Sequence, residues 1–187
     1  GSGTGAIAAW ENAERLAADG RFGENKMRIY ASQNAPFTIM YDSWKAHSRQ
    51  LVPMTPEEGR NKAEVILGKV LSNRKPPYSL AGGLFDVLEK SGGDMFKVSN
   101  DEIVSWVVRY FSAEGYDIFP ASACAVASLK QALDTGVIKH DETVMLNVTG
   151  GGMLGATRKG FILKEPDLVL SPDLPAEEII PAIDKLF

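Results

Sequence analysis

Two short stretches carry residues whose types and spacing could do chemistry. "GSGTGAIAAWE" (1–11) sets glycines at 1, 3 and 5 and hydroxyls at Ser2 and Thr4 directly before an apolar, alanine-rich segment. "NVTGGG" (147–152) closes a β-rich run and puts Thr149 just ahead of three glycines. A loop at a helix N-terminus offers unpaired backbone N–H groups and the positive end of the helix dipole. Glycines let such a backbone wrap an anion closely, and hydroxyls add donors. The first stretch therefore reads as a phosphate site, and the second as a hydroxyl beside a turn that a ligand can approach.

Three owners of that phosphate can be weighed. "GSGTGA" fits G-x-G-x-x-[GA], but a dinucleotide site also needs an acidic residue at the end of the next strand, roughly 20 residues on. The sequence there is "ASQNAP", with Ser32, Gln33 and Asn34 and no carboxylate. A P-loop needs G-K-[ST] after four intervening residues, and position 7 is Ile. The phosphate of a pyridoxal cofactor asks only for the N–H cradle. On that reading Thr149 supplies the partner of the pyridine nitrogen. A hydroxyl there leaves the ring closer to neutral than an aspartate would, which suits β- or γ-elimination and replacement. Plain turns without a ligand are the alternative for either motif.

The elements that must position these loops alternate along the chain. A helix is predicted over 5–18, stopped by Gly20. "KMRIYASQ" (26–33) reads as a strand. "TPEE" (55–58) starts a helix expected to reach Leu71, with Thr55 and Glu58 as a capping box and Pro56 at its first position. "SNDE" (99–102) starts another, with Ser99 and Glu102 as its box. Ile103, Val104, Val107, Val108 and Phe111 are expected as its buried stripe and Gly115 as its end. "YDIFP" (116–120) is a short extended entry to an alanine-rich helix closed by Gly136. "ETVMLNVTGGG" (142–152) and "DLVLS" (167–171) are predicted strands, and the C-terminal "LPAEEIIPAIDKLF" a helix that Pro181 kinks or delays. Residues 72–98 read as an irregular excursion over one edge. The alternation implies an α/β fold, a mostly parallel twisted sheet flanked by helices, with both glycine loops at the carboxyl ends of strands.

Composition narrows the classes. The 187 residues carry a net charge of −4, which argues against a nucleic-acid partner. No apolar run has the length of a membrane span, so no membrane partner is expected. One cysteine, Cys124, excludes an internal disulfide and fits a reducing cytoplasm. With His47 and His140 as the only histidines, no metal-ligand spacing is present and no metal is expected. Cys124 reads as a small buried thiol, His47 as an exposed helix residue and His140 as part of a turn. Trp10, Trp44 and Trp106 fit core or interface positions.

"GSGTG" opening a helix, "PASACA" (120–125) opening another and "NVTGGG" ending a late strand together resemble the C-terminal half of the fold-type-II pyridoxal-phosphate enzymes, the tryptophan synthase β group. "GSGTGAIAAWE", "SQNAPFTIMYDSWKA" and "NVTGGG" are most similar to its threonine synthase and cysteate synthase branch, and within it to the cysteate synthases. The resemblance covers most of the chain in order. It implies pyridoxal 5'-phosphate as cofactor, with Gly1, Ser2, Gly3, Thr4 and Gly5 as the phosphate cradle. Thr149 would be the partner of the ring nitrogen, Gly150 and Gly151 the turn beside it, and Ser122 a packing and positioning residue.

The resemblance also places the Schiff-base lysine, and the loop that holds the substrate carboxylate, ahead of the phosphate loop. No catalytic residue is therefore expected within 1–187. Lys45, Lys62, Lys130 and Lys159 stand in no matching context and read as solvated. We expect 1–187 to be the C-terminal, cofactor-binding portion of an enzyme about twice as long, inactive alone and completed by an N-terminal half. The implied reaction exchanges the phosphate of O-phosphoserine for sulfite, on the route to coenzyme M in methanogenic archaea. Arg158 and Lys159 of "GATRKGF" are candidates to meet the substrate phosphate or sulfite. The resemblance further implies a cytoplasmic homodimer. Threonine synthase chemistry on O-phosphohomoserine is the runner-up. A stand-alone phosphate- or nucleotide-binding module without chemistry is the alternative of another class.

Overall fold

Helix starts are where the sequence is most explicit, and the computed structural model of the chain, which describes residues 1–161 and 164–186, bears this out. Helix α1 (Thr4–Asp19) ends on a left-handed Gly20. Strand β1 (Tyr30–Asn34) is followed by the short α2 (Ile39–Lys45). Helix α3 (Pro56–Val65) carries the complete capping box of Thr55 and Glu58. After a 3₁₀ turn (Lys69–Leu71) come α4 (Leu84–Ser91) and β2 (Asp94–Val98). Helix α5 (Asn100–Glu114), with the box of Ser99 and Glu102, and α6 (Pro120–Asp134) complete the larger of two units, Gly1–Gly155.

β1 and β2 run parallel, with Tyr30 opposite Asp94 and Asn34 opposite Val98. Side chains of β2 serve separate clusters. Met95 joins Trp10, Phe37, Met40, Trp44, Tyr78 and Leu84, whereas Val98 packs with Ile103, Ala123 and Val126. Burial on both faces is what a parallel strand between helical layers requires. The expected parallel sheet flanked by helices is therefore present, with two strands among the described residues.

The carboxyl ends of both strands are fastened by two asparagines. The buried Asn34 side chain donates to the Val98 carbonyl (3.1 Å) and to Asn100 Oδ1 (3.1 Å), and its Oδ1 accepts from the Gly68 N–H (2.9 Å). Asn100 accepts from the Leu67 N–H (3.1 Å) and donates to the Val65 carbonyl (2.8 Å). These bonds take up the backbone groups of 65–68, so α3 stops at Val65 rather than continuing to Leu71. Gln33 beside them is buried too. Its Oε1 accepts from the N–H groups of Met40 (2.8 Å) and Tyr41 (2.9 Å) and so caps α2.

Five expectations are corrected. Residues 72–98 are no excursion, because α4 and β2 lie within them and supply fully buried Leu84, Leu88, Met95 and Val98. Of the stripe expected on α5 only Ile103 is buried; Val104 is 53% and Val108 60% exposed, since α6 covers a narrower face than the apolar pattern offers. The strands predicted over 142–152 and 167–171 are not found among the described residues: apart from the bridge at Gly151 neither stretch has regular structure or joins a ladder, and Val169 is 78% exposed. A strand exists only through a neighbour's hydrogen bonds. His47, finally, follows α2 in a left-handed turn instead of lying in a helix.

The smaller unit, Ala156–Phe187, holds the end of α7 (Met153–Arg158) and helix α8 (Ala176–Asp184). Glu177 and Glu178 stand in the first turn of α8, where they complement its dipole, and Pro181 lies inside it. Among the described residues no helix is long and apolar enough to cross a membrane.

Candidate functional site

The first glycine loop is held by its contacts with the protein. Gly3 caps α1 in a left-handed conformation (φ 80°), and a Cβ there would lie 2.9 Å from Cδ2 of the buried Leu84 at the head of α4. A Cβ on Gly1 would lie 2.9 Å from the Val70 carbonyl, on the 3₁₀ turn. The loop is thereby set near the carboxyl end of the sheet, which the Asn34–Asn100 network ties to that turn.

Gly5 differs, because nothing lies within 4 Å of where its Cβ would be. The N–H groups of Gly5 and Ala6 have no acceptor among the described residues, while Ile7 already donates back to Gly3 (3.1 Å). Ser2 Oγ and Thr4 Oγ1 are 2.9 Å apart and share one hydrogen bond, which leaves one hydroxyl proton for a third group. Two free amides, a free hydroxyl proton and open space thus meet at Gly5.

The second loop is built by the entry to α6. Ile118 bridges Gly151 in antiparallel fashion, the Phe119 N–H donates to the Gly150 carbonyl (3.1 Å), and the Gly152 N–H donates to the Asp117 carbonyl (2.7 Å). Asp117 Oδ2 accepts from the Leu154 N–H (2.9 Å). Ser122 Oγ accepts from the Gly150 N–H (3.0 Å) and donates to the Gly150 carbonyl (3.2 Å). Gly152 runs so close to the Asp117 carboxylate that no Cβ fits, whereas the space beside Gly151 is open. Thr149 is exposed, in a stretch without regular structure rather than at the end of a buried strand. Ser122, expected as a packing and positioning residue, is buried and bonds both the N–H and the carbonyl of Gly150. Asp117 is a residue that sequence reasoning missed, and only its place before "IFPAS" hinted at one.

A cleft of about 570 Å³ connects the surroundings of the two loops. Gly5, Ala6 and Ala9 of α1 line it together with Leu146 and Asn147, two residues ahead of Thr149. One wall is the edge of β1 that β2 leaves unpaired, and the other is the extended segment 142–147. An ion pair between Arg28 and Glu142 spans the walls. Ser32 of β1 also lines the cleft, and Cys124 of α6 is wholly buried nearby. Burial pushes the Cys124 thiol up to about 11, against the opposing effect of a hydrogen bond with Ser32. It is thus a core thiol rather than a nucleophile.

The remaining candidates have ordinary surroundings. Lys45 pairs with Asp94 (2.7 Å) and Lys130 with Asp134; Lys62 is half-buried and Lys159 exposed. Trp10 and Trp44 are buried, and Trp106 is half-buried beneath the Arg109 guanidinium. Arg158 and Lys159 are exposed and belong to the smaller unit. No group of three or more His, Cys, Asp or Glu is placed to hold a metal ion among the described residues.

Residues 1–150 match the family model described as pyridoxal-phosphate dependent enzyme. The chain is similar to the cysteate synthase of Methanocella paludicola, with 44% identity over 186 residues, 98% of this chain and 43% of that protein. It is similar to that of Methanosarcina acetivorans, with 40% identity over 182 residues, 96% of this chain and 44% of that protein. The cysteate synthase of Methanoculleus marisnigri is 46% identical over 153 residues, 81% of this chain and 36% of that protein. The chain spans less than half the length of these relatives.

Proposed function

The chain belongs to the pyridoxal-phosphate-dependent enzymes, and from that premise we propose that it is the cofactor-binding, C-terminal portion of a cysteate synthase. The observation that carries this reading is the cradle at the head of α1. Gly5 and Ala6 present two unpaired N–H groups, Ser2 and Thr4 a free hydroxyl proton, and Gly5 the open space a phosphate needs. When bound, the cofactor supplies the electron sink for loss of the α-proton and departure of the β-substituent.

The chain's own residues bind and orient. Gly1 and Gly3 hold the loop close against the 3₁₀ turn and α4. Thr149 offers the ring nitrogen a neutral hydroxyl, and the open face of Gly151 lets a planar group come close to the backbone. Arg158 and Lys159 are proposed, on the resemblance alone, as the cations for the anionic group of a phosphorylated amino acid. The lysine that carries the cofactor would come from the part of the enzyme outside these residues. The intact enzyme is a cytoplasmic homodimer on this reading.

The test is made on the full-length protein. Pyridoxal phosphate is titrated against the wild type and Thr4→Val, and products are analysed with O-phosphoserine plus sulfite and with O-phosphohomoserine alone. The reading predicts cysteate and phosphate from the first mixture and weakened cofactor binding in the variant. Threonine from the second mixture, with no cysteate from the first, would move the protein to the threonine synthase reaction. Failure to bind the cofactor would leave only an anion-binding module.

A further inference from the structure

Gly150 is gripped on both sides of its peptide by one side chain. Ser122 is buried, in the first turn of α6, and its Oγ accepts from the Gly150 N–H (3.0 Å) while donating to the Gly150 carbonyl (3.2 Å). The two bonds differ in consequence. The carbonyl has a second donor, the Phe119 N–H at 3.1 Å, but among the described residues Ser122 is the only acceptor for the Gly150 N–H. Two residues on, Asp117 takes the Gly152 N–H on its own carbonyl and the Leu154 N–H on its carboxylate. The turn after Thr149 is thus tied to the segment 117–122 at Gly150, Gly152 and Leu154, around the single bridge of Ile118 with Gly151.

From this we infer that Ser122 and Asp117 are positioning residues for the cofactor's ring: they fix the peptide of Gly150 and the turn behind it, and so the hydroxyl of Thr149. The inference rests on the proposed function in taking Thr149 as the partner of the ring nitrogen. The clamp itself rests on geometry alone. Thr149 is exposed and joins no ladder among the described residues, so its backbone is set by Val148 before it, which packs against the core, and by the bonds to Gly150 after it. A neutral hydroxyl partner of a ring nitrogen works at hydrogen-bond distance, so a loosened Gly150 lets the contact open.

The full-length holoenzyme and its Ser122→Ala, Asp117→Asn, Asp117→Ala and Thr149→Val variants provide the test, with two readouts that do not involve turnover. Amide hydrogen exchange over 148–154 reads the clamp. The visible absorption of the bound cofactor and its pH dependence read the ring nitrogen. In Ser122→Ala the Gly150 amide should exchange about tenfold faster, the loss of one buried acceptor, and the absorption should move in the direction seen for Thr149→Val, by a smaller amount. Asp117→Ala should accelerate Leu154 in the same way, and Asp117→Asn, which keeps an oxygen acceptor, should restore protection. If Gly150 keeps its protection in Ser122→Ala, the clamp is wrong. If exchange quickens while the spectrum stays at wild type, although Thr149→Val moves it, the clamp does not position the ring and the inference is overturned. If Thr149→Val itself leaves the spectrum unchanged, the ring-nitrogen reading falls, and the exchange data still decide the clamp. Should Ser122→Ala fail to fold, the Asp117 pair answers both questions.

Discussion

Replacing Gly3 and Gly5 by alanine separates what the first loop does for folding from what it does for a ligand. Gly3 holds φ at 80°, where a side chain costs roughly 1–2 kcal/mol. The added methyl would also sit 2.9 Å from Cδ2 of a fully buried Leu84, and overpacking of that kind costs roughly 1–3 kcal/mol. Gly3→Ala should therefore destabilise by roughly 2–5 kcal/mol. Gly5 lies inside α1 with nothing within 4 Å of its would-be Cβ, so Gly5→Ala should stabilise by about 0.5–1 kcal/mol. Urea unfolding of the full-length protein without cofactor, followed by circular dichroism, reads the difference. At roughly 1–3 kcal/mol per molar urea, the two midpoints should stand about 1 M or more apart, on opposite sides of wild type. Titration with pyridoxal phosphate should show the reverse penalty for Gly5→Ala. Its methyl occupies the space of the phosphate and should weaken binding at least about tenfold, or about 1.4 kcal/mol. A Gly5→Ala protein that binds the cofactor as tightly as wild type would refute the cradle. A Gly3→Ala protein with a wild-type midpoint would refute the steric argument for the loop.

Asn34→Ala should cost about 2–4 kcal/mol in the same urea assay, because it leaves the buried Gly68 N–H without its acceptor and frees Asn100. Burial raises the Asp94 carboxyl, but Lys45, the Met95 N–H and the Trp44 indole outweigh it and hold the group below the ordinary aspartate range. Its contribution to stability is complete above about pH 4 and is lost as pH falls through the lower folded value, so Asp94→Asn should flatten the acid side of the stability profile. Cys124, its thiol pushed up to about 11 by burial, should resist an aromatic disulfide reagent at pH 8 until denaturant is added; immediate reaction in the native protein would contradict its burial.

Helix starts were legible because a capping box is complete within four residues. Thr55 with Glu58, and Ser99 with Glu102, form both reciprocal bonds in the structure. Helix ends were legible where a glycine takes the left-handed turn, as at Gly20 and Gly115, and not where distant groups compete for the last carbonyls. The carbonyl of Val65 is taken by Asn100, 35 positions away, and no local pattern announces that. β2 was hidden for a related reason. "DMFKV" is buried on both faces and so lacks the alternation that marks a half-exposed strand, and the glycines of "SGGD" before it look like a loop. The reverse error occurred at 142–150. Its alternation is real, with Leu146 and Val148 half-buried between exposed neighbours, but alternation records which side of a strand faces a core, not whether a neighbouring strand is there to pair with it.

The glycines of the two loops show what the structure adds to a motif. As letters, "GSGTG" and "TGGG" are uniform, yet in the fold their glycines are of two kinds. Gly1, Gly3, Gly150 and Gly152 fit against other parts of the protein: the Val70 carbonyl, Leu84, Phe119 and the Asp117 carboxylate. A side chain at any of them would move a neighbour, so their role is to let the chain close on itself. Gly5 and Gly151 meet nothing within 4 Å and have no left-handed backbone to require them. Glycine within a helix costs about 0.5–1 kcal/mol relative to alanine, and at Gly5 no contact within the described protein offsets that cost. Under the proposed function, what offsets it is the ligand. The same reasoning makes the open side of Gly151, beside Thr149, the place where a flat ring can lie against the backbone. The four closed glycines build the two loops, and the two open ones mark where the cofactor would approach them.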